Sequence, residues 1–266
     1  MNPRKMAGYG WRPQLPDHRD YKLVLPAAVL PAEVDLEGLS PPVYDQGQAG
    51  SCTANMGAYL WQFCAYKEAF SDRAVPSRLF LYWNERVLED STDYDSGAQC
   101  RDALKVLATI GTIPETEWPY DLSKLTVEPT AQCFADAKAE RSLQYRAVDP
   151  NRAAIKAALA SGFPVGFGFT VYESFEGQTV ALTGLMPMPT AGEKIVGGHA
   201  VARVGYIDNA LLPRPLPNKA VLAPHPSGGY YKVRNSWGAD WGINGYFYAP
   251  YDLDKFSSDF WVLQAI

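Results

Sequence analysis

Gln46-Gly47-Gln48-Ala49-Gly50-Ser51-Cys52-Thr53-Ala54-Asn55 is the stretch on which the rest of the chain turns. It reads as a loop ending where a long buried helix begins. Gly47 and Gly50 supply its tight turns, because glycine takes positive φ at little cost. From Cys52 onward the apolar residues Met56, Tyr59, Leu60 and Phe63 fall at i+4, i+7, i+8 and i+11, the spacing of one helix face, with Cys64 beside them. Cys52 then sits in the first turn, where the helix dipole and free backbone N–H groups favour a thiolate. A thiolate is the form that attacks a carbonyl carbon. A lone cysteine at a helix start is ordinarily a small buried residue, so the reading needs further residues.

Two segments supply them. Gly197-Gly198-His199-Ala200-Val201 puts a histidine at the mouth of an apolar run. Val233-Arg234-Asn235-Ser236-Trp237-Gly238 puts an asparagine just before a tryptophan. His199 lies roughly 150 residues after Cys52 and Asn235 roughly 180, against the about 130–150 usual for a Cys-His-Asn hydrolase. Together these motifs resemble the papain family of cysteine peptidases, over about residues 33–264.

The resemblance implies a fold and a site. The fold is α+β and two-lobed: a helical lobe with a long central helix, about 39–145, and a β-barrel-like lobe, about 146–266, with a cleft between them. Residues 1–38 form an N-terminal arm in the place of a prosegment. Cys52 is the expected nucleophile and His199 its acid–base partner, the two resting as a thiolate–imidazolium pair. Asn235 orients the imidazole and Trp237 shields that hydrogen bond. Gln46, six residues before Cys52, shares the oxyanion hole with the Cys52 N–H. Gly97-Ala98 stands where the family has a Gly-Gly pair that hydrogen-bonds substrate backbone. Val165 and Gly197 match positions lining a side-chain pocket, and their small size suggests an apolar occupant.

There are departures. Thr53 stands where most members have Trp. Ala49 and Asp95 occupy the two ends of a bridge that members usually carry. The cysteines are Cys52, Cys64, Cys100 and Cys133, with no Cys-x-x-Cys pair, which argues against zinc and thioredoxin chemistry. The lost bridge fits a reducing compartment or a site held by packing. These departures and the short arm resemble bacterial members.

Composition bounds the alternatives. The 266 residues, 47% hydrophobic, allow a sizeable core. A net charge of −5 without a basic run gives no reason to expect nucleic acid. No apolar run approaches a membrane span, and Met1-Asn2-Pro3-Arg4-Lys5-Met6 leads into no Sec-type apolar region. The expected partners are a peptide or protein substrate and the arm itself as a cleft ligand, with no membrane, no cofactor, no metal and a monomeric state. The compartment stays open.

In chain order, Tyr9 to Tyr21 reads as an extended arm, which either crosses the cleft and restrains activity or only docks on the surface. Helices are predicted from Cys52 to about Phe70, from Pro76 with proline in the first turn, from Arg101 to Ala108, from Thr130 to Ala139 and from Arg152 to Ala160. Strands are predicted at Tyr145–Asp149, Pro164–Val171, His199–Tyr206, Gly229–Asn235 and Gly245–Tyr248. Asn209 to Gly228 reads as a long surface loop. His18 and His225 are expected at the surface, and Trp241 as packing under the site. Two rival readings remain: a peptide-binding module without catalysis, and an acyl transferase or deamidase on the same Cys-His frame.

Overall fold

The computed structural model describes residues 4–6, 8–67, 74–139 and 144–264. Helix α1, Cys52–Lys67, is buried on every side from Cys52 to Ala65. A helix apolar all round belongs inside a core. Gly57 lets α3, Cys100–Thr109, approach closely: a Cβ there would lie 3.1 Å from the Ala103 methyl. The predicted reach of α1 to Phe70 runs past Lys67 into residues outside those described.

Helix α2, Arg78–Leu88, begins two residues later than predicted. Ser77 is its cap, its hydroxyl accepting from Phe80 N at 3.1 Å, and Pro76 is extended against Pro114 in an isolated bridge. A residue before the cap needs β geometry, which proline suits equally well. Gly111, at φ +99°, follows α3. Thr130 caps the short α4, Ala131–Asp136.

The main sheet runs β2 (Gln144–Ala147), β9 (Ser257–Gln264), β3 (Val165–Tyr172), β4 (Ile195–Asp208), β7 (Gly229–Arg234), β8 (Tyr246–Pro250). Strand β4 is long enough for two partners on one edge. Its first part pairs with β3, from Tyr172↔Ile195 to Val165↔Arg203, and its end pairs with β1, Glu33–Asp35. Residues 33–35, inside the span expected for the arm, are thus paired in the main sheet. Helix α5, Arg152–Ala160, lies on β3 and β4, and α1 packs on β3, β4 and β9.

The barrel-like closure is a correction: the sheet is open, and its end strands β2 and β8 do not pair with each other. Short segments cover them instead. Leu23 N donates to Ala147 O and Ala147 N to Tyr21 O on β2, while Tyr248 N donates to Gly184 O on β8, just after α6, Gln178–Thr183. Covering an edge satisfies its backbone groups as closure would.

The 209–228 stretch is also corrected. It carries a small ladder of β5, Arg214–Pro215, with β6, Val221–Leu222, and buries Leu216 and Leu222 in a satellite core with Ile207 and Ile243. Among the described residues no helix is long and apolar enough to cross a membrane.

Candidate active site

Cys52 opens α1 directly after Ser51, whose carbonyl accepts the Asn55 N–H at 3.0 Å. His199 stands on β4 and Asn235 just past the end of β7; the pairing Ala202↔Arg234 brings them together. The His199 Nε2 and Asn235 Oδ1 are 2.8 Å apart, so Nε2 carries the proton and donates it. That leaves Nδ1 as the acceptor. It is buried and has no hydrogen-bond partner among the described residues. The backbone N–H groups of Ala200, the residue after His199, and of Gly10 and Thr53 are near enough to the Cys52 sulfur to favour its charged form.

Burial decides the protonation state here. It pushes the Cys52 thiol up to about 12, against the lowering effect of those N–H donors. It also pushes His199 down to about 4, and the Asn235 bond only partly offsets this. With the site covered, burial works against the charged form of both the thiol and the imidazole. Covering removes the water that would solvate either charge.

Gln46 is buried and fixed at both ends. Its Oε1 accepts from Ser236 Oγ at 2.6 Å, and its Nε2 donates one hydrogen to Ala49 O at 2.8 Å. The second Nε2 hydrogen remains. Tyr120 holds the loop from beneath, donating to Gln46 O at 2.9 Å. Gly47 has φ +60°, as a tight turn requires. Gly50 serves by its size, since a Cβ there would meet Asp95 Oδ1 at 3.0 Å. In place of the missing bridge, Gly50 N donates to Asp95 Oδ2 at 2.8 Å, and the four cysteines are buried and in no disulfide among the described residues. Thr53 donates to the buried Glu85 at 2.6 Å, and burial holds that carboxyl well above the usual range.

Trp237 stacks on His199, ring centroids 5.2 Å apart at 26°, and Trp241 packs edge-on beneath it. His18 is exposed, and His225 is half-buried against Ser227.

The arm lies on these residues. Ala98 N donates to Gly10 O at 2.7 Å, Arg12 N to Ala98 O at 3.0 Å, and Trp11 N to Gly198 O at 3.0 Å. Tyr9 packs on Gly197 and sets its ring edge-on to His199 at 5.8 Å, while its hydroxyl donates to Glu176. Gly97, at φ +71°, leaves room for Gly10 O: a Cβ there would come within 2.0 Å of it.

Strand alternation turns Val165 to the same face as Phe167 and Phe169, whereas the Cβ direction of Gly168 leads into the Trp11 indole, 1.9 Å away. The register, which the apolar run concealed, sets Gly168 and not Val165 against the Trp11 indole. Asp259 was missed altogether. It takes φ +60°, and its Oδ2 accepts from Trp11 Nε1 at 3.0 Å and Gln14 N at 3.1 Å. Nothing local in Ser257-Ser258-Asp259 announces it, since β9 itself went unpredicted.

Among the described residues no cluster of His, Cys, Asp or Glu is placed to hold a metal.

Comparison with known proteins agrees with this geometry. A peptidase C1-like protein of Acanthamoeba polyphaga mimivirus is 41% identical over 233 residues, covering 84% of this chain and 69% of its own. A cathepsin B-like protein of Giardia intestinalis is 28% identical, covering 88% and 69%. Among solved structures, xylellain, a cysteine protease from Xylella fastidiosa, superposes with TM-score 0.84 at 38% identity, covering 100% of this chain and 99% of its own. A procathepsin B from Trypanosoma congolense, at 16% identity and TM-score 0.72 over 97% and 87%, shares the fold. The family model for papain family cysteine protease matches residues 30–256, and the chain belongs to the papain family of cysteine proteases.

Proposed function

We propose that this protease cleaves peptide bonds with Cys52 as nucleophile, His199 as proton carrier, Asn235 as the orienting group and Gln46 as an oxyanion donor. One observation carries the reading. His199 spends Nε2 on Asn235 and keeps a buried Nδ1 unpaired, and the N–H of the next residue, Ala200, acts on the Cys52 sulfur.

The steps follow from these atoms. Nδ1 takes the thiol proton as Sγ bonds to the substrate carbonyl carbon. The C=O electron pair moves onto oxygen, where the Cys52 N–H and the free Nε2 hydrogen of Gln46 stabilise it. As the oxyanion collapses, the C–N bond breaks and Nδ1–H protonates the departing nitrogen. A thioester remains. Water attacks it, gives its proton to Nδ1, and the carbon–sulfur bond breaks to release the acid and restore the thiol. Trp237 keeps water off the Asn235 bond, where competition reduces a hydrogen bond's net worth to about 1 kcal/mol.

In this reading the arm restrains the enzyme. Over the candidate site it is held by the three backbone hydrogen bonds of residues 10–12 and by the Trp11 indole. It also offers the sulfur the Gly10 N–H, a donor, instead of a carbonyl carbon. An N–H cannot be attacked, so the arm blocks the cleft without being cut there. Filling the cleft also dries Cys52 and His199, which works against charge on either. The test is mass-mapped alkylation, together with hydrolysis of a fluorogenic peptide, of the full chain loosened by Trp11→Ala. Selective alkylation of Cys52 and turnover that both vanish in His199→Ala support the site. Equal alkylation of Cys52, Cys64, Cys100 and Cys133, with turnover surviving Cys52→Ala, overturns it.

A further inference from the structure

The surroundings of Arg4 form a built cation site beside His199. Arg4 Nη1 pairs with Asp45 Oδ1 at 2.8 Å and donates to Trp237 O at 3.1 Å. Its Nη2 donates to Gly47 O, and the guanidinium lies over the Trp237 ring at 5.7 Å. One carboxylate, two carbonyls and a π face converge on one cation.

The site does not depend on the arm for its shape. Asp45 forms an antiparallel bridge with Trp237, flanked by Gln46 N to Ser236 O and Gly238 N to Tyr44 O, each 2.9 Å. Arg78 Nη1 donates to Asp45 O at 3.0 Å, and Gly47 N donates to the Asp45 carboxylate at 2.9 Å. Backbone and carboxylate are both oriented before any ligand arrives.

Position assigns the site to one half of a substrate. Trp237 stacks on the imidazole, and Gly47 follows Gln46. The imidazole must reach the departing nitrogen, so the side chain nearest this cation site is one on the departing half. The Gly97–Ala98 edge lies at the other end of the arm's crossing, past Gly10. Resting on the hydrolase reading above, we infer that Asp45 is a specificity-determining residue, selecting substrates with Arg or Lys just after the scissile bond. Arg4 is then the chain's own occupant of that subsite. The Asp45 side chain is 58% exposed, so solvent screens the pair and salt weakens the selection.

The test uses the full chain carrying Arg4→Ala and Trp11→Ala, which empties the subsite and loosens the arm. Quenched fluorescent peptides differ only in the residue after the scissile bond. Arg and Lys peptides are expected to exceed the Ala peptide in kcat/KM by about threefold to tenfold at low salt, and by much less at 1 M NaCl. Asp45→Asn brings the ratio to about one, and Asp45→Lys turns the preference toward Glu. A ratio that survives Asp45→Asn, or no basic preference at all while peptides are cut, overturns the subsite and leaves the hydrolase reading standing. A readout without turnover covers the converse failure. In Cys52 alkylation, Arg4→Ala and Asp45→Asn should each speed the rate, and the double variant should do no more than either alone. That result with no peptide cut would keep the subsite and sink the hydrolase reading; independent, multiplying effects would sink the subsite.

Discussion

Replacing Trp11 with alanine in the otherwise intact chain should release the cleft. Trp11 is 7% exposed, its ring fills the space over Gly168 and Gly198, and its Nε1 binds Asp259. Truncating a buried tryptophan costs about 3–5 kcal/mol. Here the loss falls on arm docking, because the walls of the pocket are backbone that stays in place when the arm lifts. Taking about 3 kcal/mol, at about 1.4 kcal/mol per tenfold, the open fraction rises by about 10²-fold. The assay is the second-order rate of Cys52 alkylation by iodoacetamide at pH 7, mapped by mass spectrometry, with a melting curve to show that the body stays folded. A rate within twofold of the parent chain, on a folded protein, would refute the argument that the arm controls access to the sulfur.

Docking should also depend on pH with a defined sign. His199 is lowered from 6.5 to about 4 when covered, so its contribution to docking is present above 6.5 and is lost as pH falls toward 4. Cys52 is raised from 9.0 to about 12, so its contribution is present below 9 and is lost as pH rises toward 12. The ratio of alkylation rates, Trp11→Ala over parent, should therefore be largest between about 6.5 and 9 and fall on both sides; a flat ratio would contradict the desolvation account. Gln46→Ala in the loosened chain should lower kcat by about 10²–10³ through loss of one oxyanion donor, read by steady-state kinetics with KM followed separately. Gly168→Ala puts a methyl 1.9 Å from the indole, so it should expel Trp11 and raise the alkylation rate as Trp11→Ala does; an unchanged rate would mean that the ring has another seat.

The chemistry of the site was legible in the chain because each part is local. A cysteine at a helix start, a histidine in a glycine-flanked strand and an asparagine before a tryptophan are short patterns, and spacing related them. The elements around them were legible for the same reason: Arg152–Ala160 has a 3.6-residue period with Asn151 as cap and Gly162 after it. Other features had no such local mark. Val165 and Gly168 belong to one apolar run, and only the pairing of β3 with β4 says which of them faces the cleft. Strand β9 follows a 3-10 turn and holds Asp259 at positive φ, where no local signal predicts a long-range acceptor.

The sequence by itself determined the family, the four residues assigned to the reaction and the main helices before the main strands, since side-chain identity and periodicity are properties of the chain. The tertiary structure alone decided that the sheet stays open with covered edges, that the arm lies over the sulfur, and that burial beneath it works against charge on the sulfur and the imidazole. Those outcomes depend on which groups exclude water from which others, and exclusion of water is settled only when segments far apart in the chain meet.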